Sequence, residues 1–399
     1  MSSVKGKMAL APLAVAVALA SETGFAAINL GGGTTLTAGM RGQVIYDDNQ
    51  FGLAEDPVES IRTVGAPYAQ LSRESSALGY GLFYEARAGE YATPDTEGYL
   101  DHVASGDLQW QPASIFRTSI RFDYSDLHED LGIDALFSDD LEPGAVPLLE
   151  PGRNQRESVR GRLELGGNDH RLGAALALGV VDEDFSQDLR DRKGKRAGLE
   201  LGLAISTSAR LVVGAARTEQ EYDLVPEAIP LQSNHQDEHV VGLVFRSSRT
   251  SLDVRVGEVE KDFDDVRRSD YSGDLWRAGL TWRPRSYSTF SYTTAQVPQE
   301  TQDFARADFL EVRSHTLSWG HQWSDRLSSS LAYGTSSQAP RGGTGSDTVD
   351  SRRYGLRLDL DVNRHLVVGI AASSVRRQPG NGLEGIDRNQ LALTCTVEI

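Results

Sequence analysis

The 399-residue chain has a single cysteine, Cys395, so no internal disulfide holds it together. No cysteine lies near the N-terminus either, which excludes a lipoprotein anchor there. Beyond residue 20 no apolar run approaches the roughly 20 residues that a membrane-spanning helix needs. Basic charge is in deficit, with 40 Lys+Arg against 57 Asp+Glu and a formal net charge of -17. That balance disfavours a nucleic-acid partner, which would require basic patches. The A/E/K/L bias of helical proteins is missing as well. None of the histidines shows a defensible metal spacing, and no phosphate-binding glycine loop occurs, so no metal and no cofactor is expected.

What fills the chain instead is alternation. In residues 115–125, Phe116, Ile120, Phe122 and Tyr124 share one parity, and Arg117, Ser119, Arg121, Asp123 and Ser125 share the other. Residues 353–362 set Tyr354, Leu356, Leu358 and Leu360 against Arg353, Arg357, Asp359 and Asp361. The end of the chain sets Leu391, Leu393, Cys395, Val397 and Ile399 against Gln390, Thr394, Thr396 and Glu398. Only strand geometry sends alternate residues to opposite faces.

The pattern restarts about every forty residues, at short turns near 72–75, 111–113, 166–169, 206–208, 247–249, 284–286, 324–326 and 363–365. Longer segments rich in Asp, Gly, Pro and Glu separate them, among them 185–192 and 298–308. Eight short turns with both termini on one side imply nine hairpins, hence about eighteen strands, an even number within the bacterial range. The expected fold is all-β: a transmembrane antiparallel up-and-down barrel with short periplasmic turns and long extracellular loops. Charged parity faces would be costly against lipid, so the polar set is assigned to the lumen. A soluble sandwich or propeller also alternates, but it would not set one short connection against one long one at every hairpin.

The N-terminus supplies the address. Lys5 and Lys7 precede the apolar residues 8–20, and small residues then fit cleavage after Ala20 or, alternatively, after Ala27. This is the layout of a secretory signal. The organisation expected is therefore residues 1–20 as signal peptide and 28–399 as an outer-membrane barrel of a Gram-negative bacterium. Trp110, Trp282 and Trp323 lie beside proposed periplasmic turns on the apolar parity, as in an inner aromatic girdle. The terminal Ile399 departs from the aromatic residue that usually ends such chains.

The lumenal parity carries Arg117, Arg121, Arg160, Arg162, Arg196, Arg255, Arg277, Arg353 and Arg357. Acidic residues share those faces: Asp123, Glu164, Glu200, Asp253, Asp359 and Asp361. Guanidinium groups offer forked, permanently charged donors for carboxylates, phosphates and sugar hydroxyls. These residues are candidate solute contacts; a lattice of ion pairs bracing the wall accounts for them equally well. The longest loop, about 126–151, mixes Glu129, Asp130, Asp134, Asp139, Asp140 and Glu142 with Leu131, Ile133, Leu136 and Phe137. Ordered long loops are usually functional, and this one is expected to be either an inward constriction or a solvated acidic surface. A hydrolase on the outer wall would need a Ser/His/acid set. His315, His321 and Ser329 are neighbours of the right types, but such neighbours arise by chance in a serine-rich barrel, and no enzyme is expected.

Three stretches carry a family resemblance. Tyr46, Asp47, Asp48, Asn49, Gln50 and Phe51 resemble the opening of the β-barrel porins encoded in bacterial exopolysaccharide loci, and Tyr99, Leu100, Asp101 and His102 resemble a later hairpin of that family. The run from Trp110, Gln111 and Pro112 through Arg117, Asp123 and Tyr124 to His128, Glu129 and Asp130 is similar to its strand and acidic-loop pattern. The resemblance implies a channel for exopolysaccharide or capsular polysaccharide, working with periplasmic export machinery and lacking catalytic residues and cofactor. The alternatives from the same architecture are a diffusion porin for small solutes and a non-conducting receptor or scaffold barrel. Membrane lipid, lipopolysaccharide and the barrel assembly machinery are the other partners expected.

Overall fold

The computed structural model describes residues 28–92, 98–128, 152–166, 170–186, 190–223, 230–301, 307–342, 347–380 and 385–398. The signal region and the centre of the long loop, 129–151, lie outside them. A short strand β1 (Ile28–Gly31) leads into β2 (Thr34–Asp47), β3 (Ser60–Arg73), β4 (Leu78–Tyr91), β5 (Tyr99–Ala113) and β6 (Phe116–His128). There follow β7 (Arg153–Leu165), β8 (Leu172–Phe185), β9 (Arg192–Ala204), β10 (Ala209–Tyr222), β11 (Asn234–Arg246) and β12 (Thr250–Phe263). The last are β13 (Tyr271–Arg285), β14 (Ser288–Gln299), β15 (Phe309–Gln322), β16 (Leu327–Arg341), β17 (Val349–Asn363), β18 (Leu366–Pro379) and β19 (Ile386–Glu398).

Each strand from β2 onward pairs antiparallel with the next, and β19 pairs with β2. The result is a closed, antiparallel, 18-stranded β-barrel, as the turn count implied. The short turns fall within two residues of where the sequence placed them, with 111–113 ending β5 rather than forming the turn and 167–169 lying outside the described residues. At one boundary the structure differs: Ile115 belongs to the turn, and β6 continues to His128. Asp126 is held there by Arg153, and the His128 backbone N–H donates to Asp101 at 2.8 Å, so pairing persists past the expected loop start.

Strands of 12 to 15 residues exceed the 9–11 needed to cross the hydrocarbon at a tilt. The surplus extends each hairpin past the headgroups. On the outer parity, Leu356, Leu358, Leu360 and Ile370 remain 42%, 42%, 47% and 53% exposed. A two-sheet soluble core would have buried them, whereas a bilayer supplies their apolar partner. Near the periplasmic end, Trp110 packs edge-on to Phe116 at 5.7 Å, Trp282 stacks on Phe290 at 5.5 Å, and Trp319 packs edge-on to Trp323 at 6.1 Å. The tryptophans read as a girdle thus sit in one band of outward rings. Pro112 and Pro284 fall where the register shifts, between Trp110 and Ala113 and between Trp282 and Arg285. A residue without an N–H is accommodated at such breaks in the pairing.

The closing seam is specially fastened. Arg388 of β19 donates to Asp47 of β2 from Nε at 2.9 Å and Nη2 at 2.5 Å, and Gln390 adds a bond at 2.8 Å. Both ion-pair partners are buried, at 4% and 7% exposure. Asn49 then ties the following loop down, donating to Leu53 O and Asp387 O at 2.8 and 3.0 Å. Lower on the seam Gly39 lets strands and ring approach, since a Cβ there would lie 2.5 Å from Val397 O and 2.6 Å from the Tyr68 ring. The motif Tyr46 to Phe51 is therefore the fastening of first strand to last. Replacing Asp47 by Ala leaves Arg388 buried without its anion and should cost about 3 kcal/mol. Urea unfolding in detergent, followed by the mobility shift of the folded barrel, measures it.

Candidate functional site

The lumenal face is built from the period of two within strands and the cross-strand register between them. Arg121 of β6 faces Arg160 of β7, Arg117 faces Glu164, and Gly179 of β8 lies between Arg160 and Arg196 of β9. Glu200 follows on β9, and Arg255 of β12 faces Arg277 of β13. Arg353, Arg357 and Asp359 form a separate group on β17, facing Gly334, Ser330 and Ser328 of β16. All the residues singled out in the sequence share the inner parity. Between the two groups the wall changes character. Thr289, Ser291 and Thr293 of β14, Ser314, Thr316 and Ser318 of β15, and Ser328 and Ser330 of β16 line it with uncharged hydroxyls.

A repeated arrangement organises the charged sector: one carboxylate set in the wall under two guanidiniums. Glu238 is 4% exposed beneath Arg196 and Arg277, which are 44% and 40% exposed, with contacts of 3.0 Å each. Glu85 lies under Arg41 and Arg87, and Glu183 under Arg156 and Arg192. Glu200 is held by Arg255 and Arg162, and Asp123 by Arg121 and Arg160 at 2.8 and 2.6 Å. Sequence reasoning missed Arg41, Glu85, Arg87, Arg156, Glu183, Arg192 and Glu238. A signal was present: Glu85 with Arg87, like Arg121 with Asp123 and Arg162 with Glu164, is an opposite-charge pair two residues apart, hence on one face of a strand.

The units on Glu85, Glu183, Glu238 and Asp123 each carry one negative and two positive charges, whereas around Glu200 the two arginines also hold Glu164 and Asp253. Elsewhere Arg357 holds Asp359 at 2.6 Å, and Arg255 also holds Asp253 at 2.9 Å. Arg117 uses Gln111 at 3.0 Å and lies 3.8 Å from Glu164. Arg353 and Arg246 are exposed and have no ion-pair partner among the described residues. A cavity of about 830 Å³ at the periplasmic end is lined by Arg117, Arg162, Arg210, Arg246 and Arg255 with Glu164 and Glu200. A second of about 380 Å³ lies at the junction of the two sectors, between Arg255 and Arg277 on one side and Thr293 and Ser314 on the other.

At the extracellular end the loop after β14 folds inward. Glu300 reaches the lumenal side of β10, β11 and β12, where Lys261 Nζ donates to its Oε1 at 2.5 Å and Tyr222 OH donates to Oε2 at 3.3 Å. Lys261 is 1% exposed and also donates to Asn234 Oδ1 at 2.7 Å. Asp308, at the far end of the same loop, accepts from Arg268 Nη1 at 2.7 Å, and Arg268 Nε donates to Leu231 O at 2.9 Å. The expectation for the 126–151 loop falls on 129–151, outside the described residues; among the described residues Glu300, after β14, reaches across to the lumenal face of β10 to β12. In the adjoining loop the Arg267 guanidinium and the N–H groups of Arg267 and Leu231 hold the Asp265 carboxyl well below the usual aspartate range.

The outer-wall residues do not assemble a hydrolase. His315 Nδ1 engages Thr294 and Tyr292 hydroxyls at 2.8 and 3.0 Å, while Ser329, opposite His321, accepts from Trp323 Nε1 at 2.9 Å. No cluster of metal-ligand residues occurs among the described residues.

Two tests follow from the inward loop. Glu300→Gln removes the anion from buried Lys261, and single-channel conductance should rise as the loop leaves the lumen. Asp265 stabilises its loop fully above the unfolded aspartate pKa near ~4 and loses that effect only as pH falls through its depressed native value. Hydrogen exchange over 264–270 should therefore be equally protected at neutral and mildly acid pH once corrected for intrinsic rate.

Among solved structures the chain is similar to Pseudomonas aeruginosa OpdK with vanillate, at 13% identity over 91% of this chain and 99% of that one, with a TM-score of 0.48. It is similar to Pseudomonas aeruginosa OccK2 (OpdF) in complex with glucuronate, at 13% identity, 92% and 98% coverage and TM-score 0.48. Acinetobacter baumannii OccAB4 matches at 10% identity, 91% and 98% coverage and TM-score 0.45. No curated protein sequence matches. Residues 162–399, more than half of the chain, match the family described as "Putative beta-barrel porin 2", and the chain belongs to that family of outer-membrane channel proteins.

Proposed function

We propose that this barrel is a diffusion channel for small solutes that favours anions. The observation that carries the proposal is the layering of the wall, in which Glu85, Glu183 and Glu238 are 1%, 5% and 4% exposed while the arginines above them face the lumen. At these three units a permeating ion meets guanidinium before carboxylate, while Asp107, Asp253 and Asp361 add carboxylates elsewhere on the lumenal face that are not covered in this way. The net charge of -17 belongs to the whole molecule, and a cleft's potential is set by the groups that line it. The candidate solute contacts are accordingly Arg117, Arg121, Arg160, Arg162, Arg196, Arg255, Arg277, Arg353 and Arg357, with Asp123, Glu164, Glu200 and Asp359 positioning them.

Export of exopolysaccharide, implied by the resemblance in sequence, asks the lumen to pass a polymer of sugars. Glu300 lodged against Lys261 brings the chain after β14 across the lumenal face of β10 to β12, and this favours small solutes over a polymer. Membership in a porin family favours the same reading.

In a planar bilayer under a potassium chloride gradient, the reversal potential should report anion preference. Arg196→Ser with Arg277→Ser exposes Glu238 and should lower the chloride-to-potassium permeability ratio by about twofold or more. Cation preference in the wild type would overturn the proposal. A deletion strain that accumulates polymer in the periplasm would replace it with the export reading.

A further inference from the structure

The periplasmic rim inverts the charge of the molecule. The chain as a whole has 40 basic against 57 acidic residues, yet the carboxylates in the described short turns and the strand ends beside them are Glu74, Glu164, Asp325, Asp361 and Glu398. Arg171, Arg249, Arg283, Arg285, Arg326 and Arg364 are exposed there, and none has a carboxylate partner among the described residues. The nearest polar contact of Arg364 is the neighbouring His365, Nε to Nε2 at 2.7 Å, which leaves its charge uncompensated. At the other rim the loops carry Asp48, Glu55, Asp56, Glu59, Asp264 and Asp270, among others.

The placement of these arginines is specific. Arg285 lies three residues beyond Trp282 of the aromatic girdle, and Arg326 lies three beyond Trp323. Arg249 joins the group through its carbonyl, which accepts the Arg283 N–H at 2.7 Å. Indole rings mark the level of the headgroups, so guanidiniums three residues further out stand at the depth of lipid phosphate. Apart from Arg171 on β7–β8, these arginines sit on four consecutive hairpins, β11–β12, β13–β14, β15–β16 and β17–β18, and so form one continuous arc of the rim.

We propose that this arc of the rim is an open lipid-binding collar, in which Arg249, Arg285, Arg326 and Arg364 pair with the phosphates of anionic phospholipids in the periplasmic leaflet. A forked donor matches phosphate bidentately, and the net negative headgroup supplies the charge that the turns lack. The inference is independent of what passes through the lumen.

The test is native mass spectrometry of the full barrel released from nanodiscs containing equal phosphatidylglycerol and phosphatidylethanolamine. The wild type should retain phosphatidylglycerol several-fold over phosphatidylethanolamine, and the preference should fall as salt is raised before release. Arg249→Ser, Arg285→Ser, Arg326→Ser and Arg364→Ser combined should abolish the preference, while lumenal Arg353→Ser should keep it. Folding of each variant is read from its heat-dependent gel mobility. If the combined variant does not fold, Arg326→Ser and Arg364→Ser alone should each lower retention. Equal retention of both lipids by the wild type, or an unchanged preference in the folded variants, would overturn the collar.

Discussion

The bilayer core contains no water to satisfy a stray N–H or C=O, so a strand can cross it only if both of its edges are paired. Closure of the ring is the interaction on which the rest of this molecule depends. It permits an outer wall of leucine, isoleucine and valine, because lipid takes the place of a core. It also forces every strand to present its other face to an enclosed space, where charge can be tolerated. The buried Arg388–Asp47 pair and the Asn49 anchor sit on the one junction that no hairpin turn enforces.

Within that enclosure the energetics favour pairing each arginine with an acid, and the geometry decides which partner meets solute. A glutamate is short and stays near the wall, while an arginine is long and reaches past it. Two arginines, each two strands away on either side, can share one glutamate, as Arg196 of β9 and Arg277 of β13 share Glu238 of β11. A structural lattice and a cationic lining are therefore the same set of residues viewed from two sides. The uncharged wall of β14 to β16 gives the lumen a second surface with a different chemistry.

Much of this was legible in the chain. The strand count, the eight turns, the inward parity of Arg117 to Arg357 and the outward tryptophans all follow from a strict period of two interrupted by turn residues. What was not legible depends on register. Which arginine meets which acid is set by the offset between strands, so Arg156 with Glu183 and Arg196 with Glu238, separated by 27 and 42 residues, could not be paired by inspection. The inward course of the loop after β14 was hidden for a related reason. Glu300 is one acid in an acidic loop until folding brings it to Lys261. The small-solute reading parts from the polysaccharide export implied by the resemblance because burial, rather than composition, sets the sign of the lining.

The seam also bears on how the barrel can be made. Arg388 and Asp47 are 341 positions apart, while most neighbouring strands are joined through a single connection. Loop closure over that length is entropically the last of the pairings to become affordable, and contacts of such separation form slowly. Until it forms, the nascent sheet has two open edges, β2 and β19, each with a row of unsatisfied backbone groups. Those edges are templates for pairing with another chain. The order of synthesis thus fixes a vulnerable interval, which ends only when the final strand has been delivered and the first is still free to receive it.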